Sequence, residues 1–487
     1  MNQETQSHNR RRSIIREFCL NTSTHALPGI ARAESKHNRI FWSISFICLM
    51  GIMIYFIVEA IIAYFQYPTN MDLSYNDDKQ QYFPAFSFCN LSPLRFDQFI
   101  KPFLNYTNTL NLTNINDTTT FVPYQASLIW NFLIDTINRN ESLIPFGFSL
   151  SSMLMECSFN YKPCLEEDFI SFTSPNYGRC YTFNAKLKNS TDDNVRYTNQ
   201  YGQYGVLSLV LYVHSHQYIP YTTDSAGVVV IIHDNTQLPM IETSGIELAP
   251  GKRHRLNYRK KKSNFLSSPY STCANQPSSV MMDMFENYND ADYGYSRMIC
   301  TGLCRQVYYY EKCGCIFPFY WNYRSIRLPG TNRIIRAPLC RTTDRCYLDA
   351  AESLTQTPSL LDKYCSDCSE ECSLTSFIVQ VSSSEGPLDW MMADIKAFVE
   401  DSSVPLPANW STTWRQDIKQ NYLVVNVLTE TTIVEINTQS AAISPIDVFS
   451  NIGGQTGLWL GLSFLSLMEF IEMIYRLIRY QVYLMIR

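Results

Sequence analysis

Near its carboxyl end the chain reads Asn451-Ile452-Gly453-Gly454-Gln455-Thr456-Gly457-Leu458-Trp459-Leu460-Gly461-Leu462-Ser463, and two acids, Glu469 and Glu472, follow this stretch. Glycines lower the stability of a helix, and carboxylates at membrane depth are costly unless they face water or ions. Backbone that leaves the helix inside a membrane is tolerated only where it lines a protein-enclosed or watery path. The segment therefore predicts the lining of a pore, and a glycine-rich face for helix dimerisation is the alternative.

Two apolar segments, residues 40–65 and 443–478, each exceed the ~20 residues that a helix needs to cross a bilayer. Arginine and lysine are in excess over acids before the first segment and after the second. Because cytosolic flanks carry such a basic excess, both ends are predicted to be cytosolic. We therefore divide the chain into a cytosolic amino terminus (1–39), a first span (40–65), an extracellular domain (66–444), a second span (445–475) and a cytosolic carboxyl terminus (476–487).

The 487 residues are too many for one ordinary core, and no low-complexity linker divides them. We expect one large exported domain built from packed subdomains. The net charge of −5 indicates no class of partner, and we expect no nucleic acid partner. Because no nucleophile elbow, phosphate loop or paired-acid motif stands out, we predict neither an enzyme nor a bound cofactor.

Fourteen of the sixteen cysteines lie in the predicted extracellular domain. An even number of cysteines in an oxidising compartment predicts up to seven disulfides, without indicating which pairs form. Zinc binding by Cys365-x-x-Cys368 or Cys313-x-Cys315 is the alternative. Sequons for N-glycosylation also agree with an exported surface, and they lie at Asn105, Asn111, Asn116, Asn140, Asn189 and Asn409.

The extracellular domain shows a mixed pattern of strands and helices. Short runs rich in valine, isoleucine, leucine and tyrosine predict strands at 204–213, 227–233, 422–428 and 431–436. Helical spacing of apolar residues predicts helices at 127–137, 302–312 and 387–400. The predicted class is α+β, with a sheet at the centre and helices at the periphery.

The second span has a clear start signal. Ser444 is the predicted N-cap, Pro445 the first helical residue, and Asp447 the acid that completes a capping box. The strand predicted from residue 431 therefore leads directly into this span, so movement of the outer domain would reach the pore through a short connection.

Five motifs follow one another along the chain: Phe83-Pro84-Ala85-Phe86-Ser87-Phe88-Cys89-Asn90, Tyr177-Gly178-Arg179-Cys180-Tyr181-Thr182-Phe183-Asn184, Pro269-Tyr270-Ser271-Thr272-Cys273, Cys313-Gly314-Cys315, and Gly453-Gly454-Gln455 leading to Gly461-Leu462-Ser463. In this combination the chain resembles the degenerin/epithelial sodium channel superfamily, which includes acid-sensing and peptide-gated sodium channels. The likeness extends over nearly everything from His25 to Glu472. Known members are trimers whose second spans form a central channel, and the resemblance implies the same assembly here.

The resemblance also implies a disulfide pairing that uses all fourteen extracellular cysteines. The implied pairs are Cys89 with Cys180, Cys157 with Cys164, Cys273 with Cys372, Cys300 with Cys368, Cys304 with Cys365, Cys313 with Cys346, and Cys315 with Cys340. The last five are nested, which suits an elongated two-helix subdomain that is cross-linked along its length.

In a trimer, Gly461-Leu462-Ser463 would interrupt the helix and form a selectivity filter of backbone carbonyls and serine hydroxyls that bind a monovalent cation. Glu469 and Glu472 are three residues apart, so they share a helix face and would form two acidic rings of the inner pore. For Glu472, a solvated position near the cytosolic mouth is the alternative.

Four positions of the second span match gating positions of the family. The resemblance implies a closed gate at Asn451, Gly454 and Leu458. Ser450 matches the degenerin site, where bulky substitution holds many family channels open. Related channels often carry an acid at the position of Asn451, so we expect weaker attraction of cations at the outer mouth.

Two departures from the family pattern bear on gating. His25 matches the cytosolic His-Gly pair and is assigned to the inner pore, but Ala26 replaces the glycine, which weakens the case for a re-entrant loop. Tyr67 and Tyr270 match the aromatic pair that couples the extracellular domain to the membrane segment. Pro68 stands where proton-gated members can carry a histidine sensor, and because proline cannot titrate, proton gating is disfavoured.

Two further features have competing interpretations. The basic run from 252 to 262 is predicted to be a solvated loop between strands, and a protease cleavage site or an anionic-ligand patch are the alternatives. His214, His216 and His233 would form a metal site only if the fold brought them together, and separate histidines on strand surfaces are the expected outcome, so we predict no metal.

The function that the resemblance implies is a homotrimeric or heterotrimeric, sodium-selective, amiloride-sensitive channel of the plasma membrane, in contact with lipid. An extracellular neuropeptide of the FMRFamide kind is the expected opening stimulus. Mechanical or constitutive gating is the alternative within the channel class. A non-conducting two-pass receptor or auxiliary subunit is the alternative outside it.

Overall fold

The computed structural model describes residues 2–188, 195–198, 206–288, 291–328 and 330–486. The chain divides into two compact units: a terminal unit (Met1–Met71 and Gln439–Arg487) and a middle unit (Asp72–Thr438). The chain passes from one unit to the other twice, so both ends belong to the same unit.

The described residues form fifteen α-helices: α1 (Asn2–Asn21), α2 (Leu27–Arg32), α3 (Lys36–Phe65), α4 (Phe96–Thr109), α5 (Pro123–Asn138), α6 (Leu150–Met153), α7 (Ile241–Ser244), α8 (Ser279–Phe285), α9 (Arg297–Cys313), α10 (Arg345–Gln356), α11 (Pro358–Tyr364), α12 (Met392–Asp401), α13 (Trp410–Asn421), α14 (Pro445–Leu460) and α15 (Phe464–Ile486). The strands are β1 (Thr69–Asp77), β2 (Gln81–Tyr82), β3 (Ala85–Asn90), β4 (Leu154–Phe159), β5 (Lys162–Pro163), β6 (Phe169–Ser174), β7 (Gly178–Phe183), β8 (Tyr197–Thr198), β9 (Val206–Tyr212), β10 (Val228–His233), β11 (Ile246–Leu248), β12 (Lys252–Asn264), β13 (Ser325–Arg327), β14 (Ile334–Arg336), β15 (Ser373–Glu385), β16 (Tyr422–Thr429) and β17 (Ile433–Ala441).

In the terminal unit, α3 is long and apolar enough to cross a membrane, and only 6% of its most apolar window is buried inside the chain. A core helix of a soluble domain would be mostly buried, so α3 presents its apolar surface outward. Helices α14 and α15 are long and apolar enough to cross a membrane only when they are taken together, and the pair is bent by 71° at a short break. The described chain thus has one apolar helix of spanning length, and a second span if the bent pair is counted as one.

The start of α14 has the capping box that the sequence predicts. The Ser444 hydroxyl accepts a hydrogen bond from the Asp447 amide at 3.2 Å, and the Asp447 carboxylate accepts from the Ser444 amide at 2.8 Å. These contacts satisfy two backbone donors that a helix start leaves unpaired. The helix therefore begins at Pro445, four residues after β17 ends.

The middle unit is a large disulfide-rich α+β domain built on two main sheets. One has eight strands in the order β1-β17-β12-β16-β9-β4-β5, with β15 also paired to β12, and the other has the order β11-β10-β3-β7-β6. Side chains of both sheets meet in one apolar core, for example Phe88 and Val230 of the smaller sheet and Leu209, Leu256 and Val425 of the larger. Each segment predicted above as a strand or a helix overlaps an element of that kind within the described residues, with boundaries that differ by up to five residues.

The basic run from 252 to 262 forms most of β12, so the prediction of a solvated loop is wrong. Strand β12 pairs with β15 along one side and with β16 and β17 along the other. Its alternate residues His254, Leu256 and Tyr258 are buried, while Arg253 and Arg255 are exposed on the opposite face. Buried and exposed side chains alternate along this part of the strand, which is the period-2 pattern of a half-buried strand. The number of charged residues hides this pattern in the sequence.

Seven disulfides cross-link the middle unit, and they are the pairs that the resemblance implies: Cys89–Cys180, Cys157–Cys164, Cys273–Cys372, Cys300–Cys368, Cys304–Cys365, Cys313–Cys346 and Cys315–Cys340. Four of them connect α9 and the residues directly after it to the segment that contains α10 and α11. Because the sulfurs of Cys313, Cys315, Cys365 and Cys368 are all bonded to other cysteines, they are not thiolates that could bind zinc.

The three histidines considered for a metal site do not converge. His214 bonds the carbonyl of Ser152 and His216 bonds that of Pro405, whereas His233 bonds the Ser87 hydroxyl at 2.7 Å. Burial lowers the pKa of His214 to about 3 and that of His233 to about 4. The expectation of histidines on strand surfaces is therefore wrong for His214 and His233, which are buried. The His216 ring lies 5.7 Å from that of His214 between centroids, and burial lowers its pKa as well.

The predicted glycosylation sites lie in the middle unit, apart from Asn189, which is outside the described residues. The asparagines that the structure describes are all exposed, namely Asn105, Asn111, Asn116, Asn140 and Asn409. Exposure is required for attachment of a glycan, and their modification stays a prediction.

Candidate functional site

The predicted filter lies where α14 ends. Gly461 has φ 64° and ψ 26°, a left-handed conformation that glycine adopts without steric cost. The Gly461 amide donates to the Gly457 carbonyl at 3.0 Å, and the Leu462 amide donates to the Thr456 carbonyl at 3.1 Å. Both bonds satisfy carbonyls that a helix end leaves unpaired. The helix is therefore interrupted over residues 461–463, as the glycine pattern predicts.

Ser463 is the N-cap of the next helix, α15. Its hydroxyl accepts from the Ser466 amide at 3.3 Å, and its own amide donates to the Ser466 hydroxyl at 3.1 Å. This reciprocal pair caps α15 in the way that a capping box does. The sequence analysis assigned Ser463 to the filter and missed its partner, although the Ser-x-x-Ser spacing at the start of an apolar run is a recognisable cap signal.

His25 lies directly against the filter segment. Its amide donates to the Leu460 carbonyl at 2.8 Å. A methyl group added at Gly461 would lie 2.7 Å from the His25 ring atoms Cδ2 and Nε2, closer than carbon atoms approach. The loop between α1 and α2 therefore returns to the break between α14 and α15, and Gly461 is required both for its φ and for the close approach of the imidazole.

Ala26, the residue in place of the family glycine, has φ 65° and ψ −37°. The Leu27 amide donates to the His25 carbonyl at 2.7 Å across Ala26, which makes a γ-turn with positive φ at its centre. This is the strained form of the turn, and an L-residue adopts it at a cost that glycine does not have. The turn that brings His25 against Gly461 thus forms in spite of Ala26, and its role as a re-entrant loop of the inner pore stays a prediction.

Two serines that the sequence analysis did not assign connect the amino-terminal loop to α15. The Ser23 amide donates to Glu469 Oε2 at 3.0 Å, and the Ser23 hydroxyl lies 2.6 Å from that of Ser466. Ser466 is 3% exposed, so its hydroxyl is shielded by the residues it bonds. Glu469 is therefore held by a neutral partner, which leaves its negative charge uncompensated.

The Glu472 side chain, by contrast, is exposed and makes no hydrogen bond in the part of the chain that the structure describes. One turn further, Arg476 forms a two-pronged ion pair with Glu17 of α1, at 2.9 and 3.3 Å. Phe18 and Phe470 pack edge to face beside this pair. The end of α1 is thus attached to α15 below the break.

The predicted gate residues share one side of α14. Asn451, Gly454 and Leu458 are all exposed, and Leu458 keeps 72% of its surface accessible. Ser450 is exposed as well. On the other side of α14, Trp459 stacks on Phe56 of α3, with ring centroids 6.2 Å apart. The chain leaves the gate side of α14 uncovered while α3 covers the opposite side.

The coupling tyrosines fall in different units, Tyr67 in the terminal unit and Tyr270 in the middle unit. Tyr67 follows α3 directly and packs against Tyr64 and Phe65. Beside it, the Ala442 amide donates to the Pro68 carbonyl at 2.8 Å. The segment that follows α3 is therefore hydrogen-bonded to the segment that enters α14, and a coupling role of the tyrosines stays a prediction.

Comparison with known proteins gives matches over nearly the whole chain. The family model described as amiloride-sensitive sodium channel matches residues 18–473. Acid-sensing ion channel 1C of Danio rerio is 26% identical over 494 aligned residues, which cover 96% of this chain and 84% of the relative. The epithelial sodium channel subunit alpha of Cavia porcellus is 22% identical, over 97% of this chain and 77% of the relative. A solved structure of a proton-activated chloride channel aligns at 6% identity, over 88% of this chain and 95% of the other. Its TM-score of 0.29 is too low to indicate a shared fold.

Proposed function

Because this chain belongs to the amiloride-sensitive sodium channel family, whose members are ion channels and not enzymes, we propose that it is a subunit of a sodium-selective, amiloride-sensitive channel of the plasma membrane. In this proposal α3 and the α14–α15 pair are the two spans, and both termini are cytosolic. Three copies, identical or related, surround one pore. Sodium ions, membrane lipid and the neighbouring subunits are its partners.

The observation that carries this proposal is the interruption of the second span at residues 461–463, held open by His25. The Gly461 carbonyl accepts from the Ser466 hydroxyl at 3.4 Å and the Ser463 carbonyl from the Leu467 amide at 3.1 Å, whereas none of the described residues donates to the Leu462 carbonyl. A carbonyl released from the helix in this way can replace part of the hydration shell of a cation. Such irregular backbone is stable at membrane depth only if protein encloses it or water reaches it. The hydrogen bond from His25 to Leu460 and the contact of its ring with Gly461 support an enclosed filter with fixed geometry.

The acids below the break support cation selectivity. Glu469 has no basic partner within the described chain, and its position one turn after Ser466 puts its charge near the inner end of the filter. Three copies around an axis would raise the local concentration of cations and repel anions. Glu472 would add a second ring closer to the cytosol.

For the opening stimulus we propose an extracellular ligand, with FMRFamide-like neuropeptides as the first candidates. This part rests on the likeness of the extracellular motifs and of the pore segment to peptide-gated members. Acid is named for several relatives, among them acid-sensing ion channel 1 of Gallus gallus. Pro68 in place of a titratable residue argues against the same sensor in this chain.

Whole-cell current under voltage clamp tests the proposal in cells that express this chain alone. Extracellular acid, FMRFamide-like peptides and amiloride are applied in turn, and sodium is then replaced by potassium. We expect a ligand-evoked, amiloride-blocked current that reverses near the sodium equilibrium potential. Silence to all stimuli, with surface expression confirmed and with a bulky Ser450→Phe variant also silent, would contradict conduction by this chain alone and favour a non-conducting subunit.

A second experiment addresses the filter itself. Gly461→Ala places a methyl group against His25 and imposes a positive φ on alanine, so we expect loss of sodium selectivity or of current with normal surface expression. Gly51→Ala in the first span is the matched control, because nothing lies within 4 Å of its added methyl group. Equal currents in both variants would exclude residues 461–463 as the filter.

A further inference from the structure

A cavity of about 580 Å³ lies on the outward face of the eight-stranded sheet, away from the core between the two sheets. Its walls include Arg253, Arg255, Ser208, Ser382 and Asn426. This volume falls within the range of small-molecule sites, which is roughly 300–1,000 Å³. The residues that line the cavity all belong to the middle unit and are not used by the channel mechanism proposed above.

The polar groups of this cavity are aligned by the sheet. Ser382, Arg255, Asn426, Ser208 and Ser158 are cross-strand neighbours in this order, each on a different strand. Side chains at directly paired positions point to the same face of a sheet and lie about 5 Å apart. One row of hydrogen-bonding side chains therefore crosses five strands, with a guanidinium in it.

A second guanidinium lies beside this row. Arg253 is two residues before Arg255 on β12, so the two side chains leave the same face about 7 Å apart. With its amide oxygen turned toward Arg253, Asn426 accepts from Arg253 Nε at 2.8 Å and donates to the Ser208 hydroxyl at 2.8 Å. Arg255 Nε donates to Asn257 Oδ1 at 3.2 Å. Neutral amides thus orient both guanidinium groups and do not neutralise either charge.

Two other basic residues of the same strand are neutralised by ion pairs. Arg259 pairs with Glu430 at 2.7 Å, and Lys261 pairs with Glu435 at 2.8 Å. No carboxylate of the described residues lies within the 4.0 Å of an ion pair from Arg253 or Arg255, and none of the described residues that line the cavity is acidic. Glu156 lies in the same cross-strand row as Arg253. Strands β16 and β9 lie between them, so the two side chains are three strand positions apart.

Two oriented, unneutralised guanidinium groups with serine hydroxyls beside them form a site for an anion with oxygen acceptors. The planar fork of arginine matches the paired oxygens of carboxylate, sulfate and phosphate, which a spherical halide does not offer. A protease cleavage site is disfavoured here, because β12 is paired on both sides in a regular sheet. We propose that this cavity binds a small oxyanion, either inorganic or the carboxylate of an organic acid.

Equilibrium dialysis with the full chain in detergent tests this proposal. The probes are radiolabelled sulfate, phosphate and succinate, each at constant ionic strength in sodium chloride. We expect saturable binding of at least one probe and a loss of about tenfold or more in affinity for Arg255→Ala, since hydrogen bonds to charged groups contribute roughly 1.5–3 kcal/mol. Binding of sulfate or phosphate alone would identify an inorganic ligand, and binding of succinate alone would identify an organic acid.

Arg259→Ala is the matched control, because Arg259 is exposed on the same face of the same strand but is already paired with Glu430. It should retain binding. Equal weakening by Arg255→Ala and Arg259→Ala would indicate general electrostatic attraction and would overturn the proposal, as would the absence of saturable binding of all three probes. If Arg255→Ala fails to yield folded protein, Ser382→Ala, which removes one hydroxyl of the row, should weaken the same binding.

Discussion

At the centre of the amino-terminal turn, Ala26 adopts a backbone conformation that favours glycine, and its neighbour His25 is positioned by that turn. The strain is local, because Thr22 and Thr24 are buried and the Leu460 carbonyl receives the His25 amide. Contacts on both sides of the turn therefore hold a residue in a conformation that its own side chain opposes.

Ala26→Gly should relieve this strain and stabilise the protein by about 1 kcal/mol. The measurement is the thermal unfolding of the detergent-solubilised chain. Ala33→Gly is the control: Ala33 has φ −65°, so glycine there should be slightly destabilising. A lower unfolding temperature for Ala26→Gly than for the unmodified chain would mean that the turn is not strained.

Buried His214 predicts a loss of stability in acid. Burial, with smaller contributions from His216 and Arg95, lowers its pKa to about 3, and the hydrogen bond to Ser152 and the charge of Asp97 oppose this shift only in part. The unfolded chain, with a histidine pKa of about 6.5, takes up the proton first, so the contribution of His214 to stability is present above that pH and is lost as the pH falls toward 3. The slope is at most about 1.4 kcal/mol per pH unit.

The variant His214→Asn should unfold with a weaker dependence on pH between about 6.5 and 4, measured by thermal unfolding across that range. Asparagine is chosen because His214 has φ 53°, a conformation that asparagine tolerates. His37→Asn, at an exposed position of α3, should leave the pH dependence unchanged. Identical slopes for His214→Asn and the unmodified chain would assign the acid sensitivity to other groups.

Among the elements of the fold, the disulfides differ in how much chain they constrain. Cys89–Cys180 joins β3 to β7 across 91 residues of sequence, whereas Cys157–Cys164 closes a separation of 7 residues. In the loop-entropy description, a longer loop in the unfolded chain gives a larger stabilisation, about 4–5 kcal/mol for the first and about 2 kcal/mol for the second. Both pairs lie in or beside strands that form the core between the sheets.

Replacing Cys89 and Cys180 together by alanine should therefore lower the thermal midpoint more than the same replacement of Cys157 and Cys164. The two double variants are compared under non-reducing conditions, with the yield of folded protein as a control. Equal decreases, or a larger decrease for the short loop, would show that local packing and not chain constraint determines the contribution of these bonds.

At the scale of the whole molecule, the side of α14 that carries Leu458 is not packed against other described residues of the same chain. Leu458 is 72% exposed, and the glycines of α14 have open space around them. An apolar surface of this kind requires lipid or another copy of the chain. In a trimer around a central pore, the Leu458 side chains of different copies would approach one another.

Leu458→Cys should then form disulfide-linked dimers on oxidation in membranes, read as a shift on a non-reducing gel. Cys19 and Cys48 are free and are first replaced by serine to remove background. Ile44→Cys, at a 56% exposed position on α3, is the control and should cross-link much less. Failure of Leu458→Cys to cross-link, with normal surface expression, would argue against a gate formed by this side of α14.

Much of this molecule could be predicted from local patterns. The helix start at Ser444, the break at Gly461 and the α+β class depend on short-range rules of capping, glycine conformation and side-chain periodicity, which act within a few residues. The disulfide pairs came from family resemblance, because fourteen cysteines permit many pairings and their spacing alone selects none. For residues 252–262 the density of charge concealed a strand that buries every second side chain, among them His254 and Lys260.

Tertiary structure decided what distant segments do to one another. No local rule connects Ser23 to Glu469, His25 to Gly461, or Glu17 to Arg476, since these contacts join residues more than 400 positions apart in the chain. Nor does a local rule place two unneutralised arginines at the mouth of a cavity, because that depends on which strands pair with β12 and in which register. The sequence specifies the elements through local energetics, and their pairing brings charges and backbone into the arrangement on which a filter or a ligand site depends.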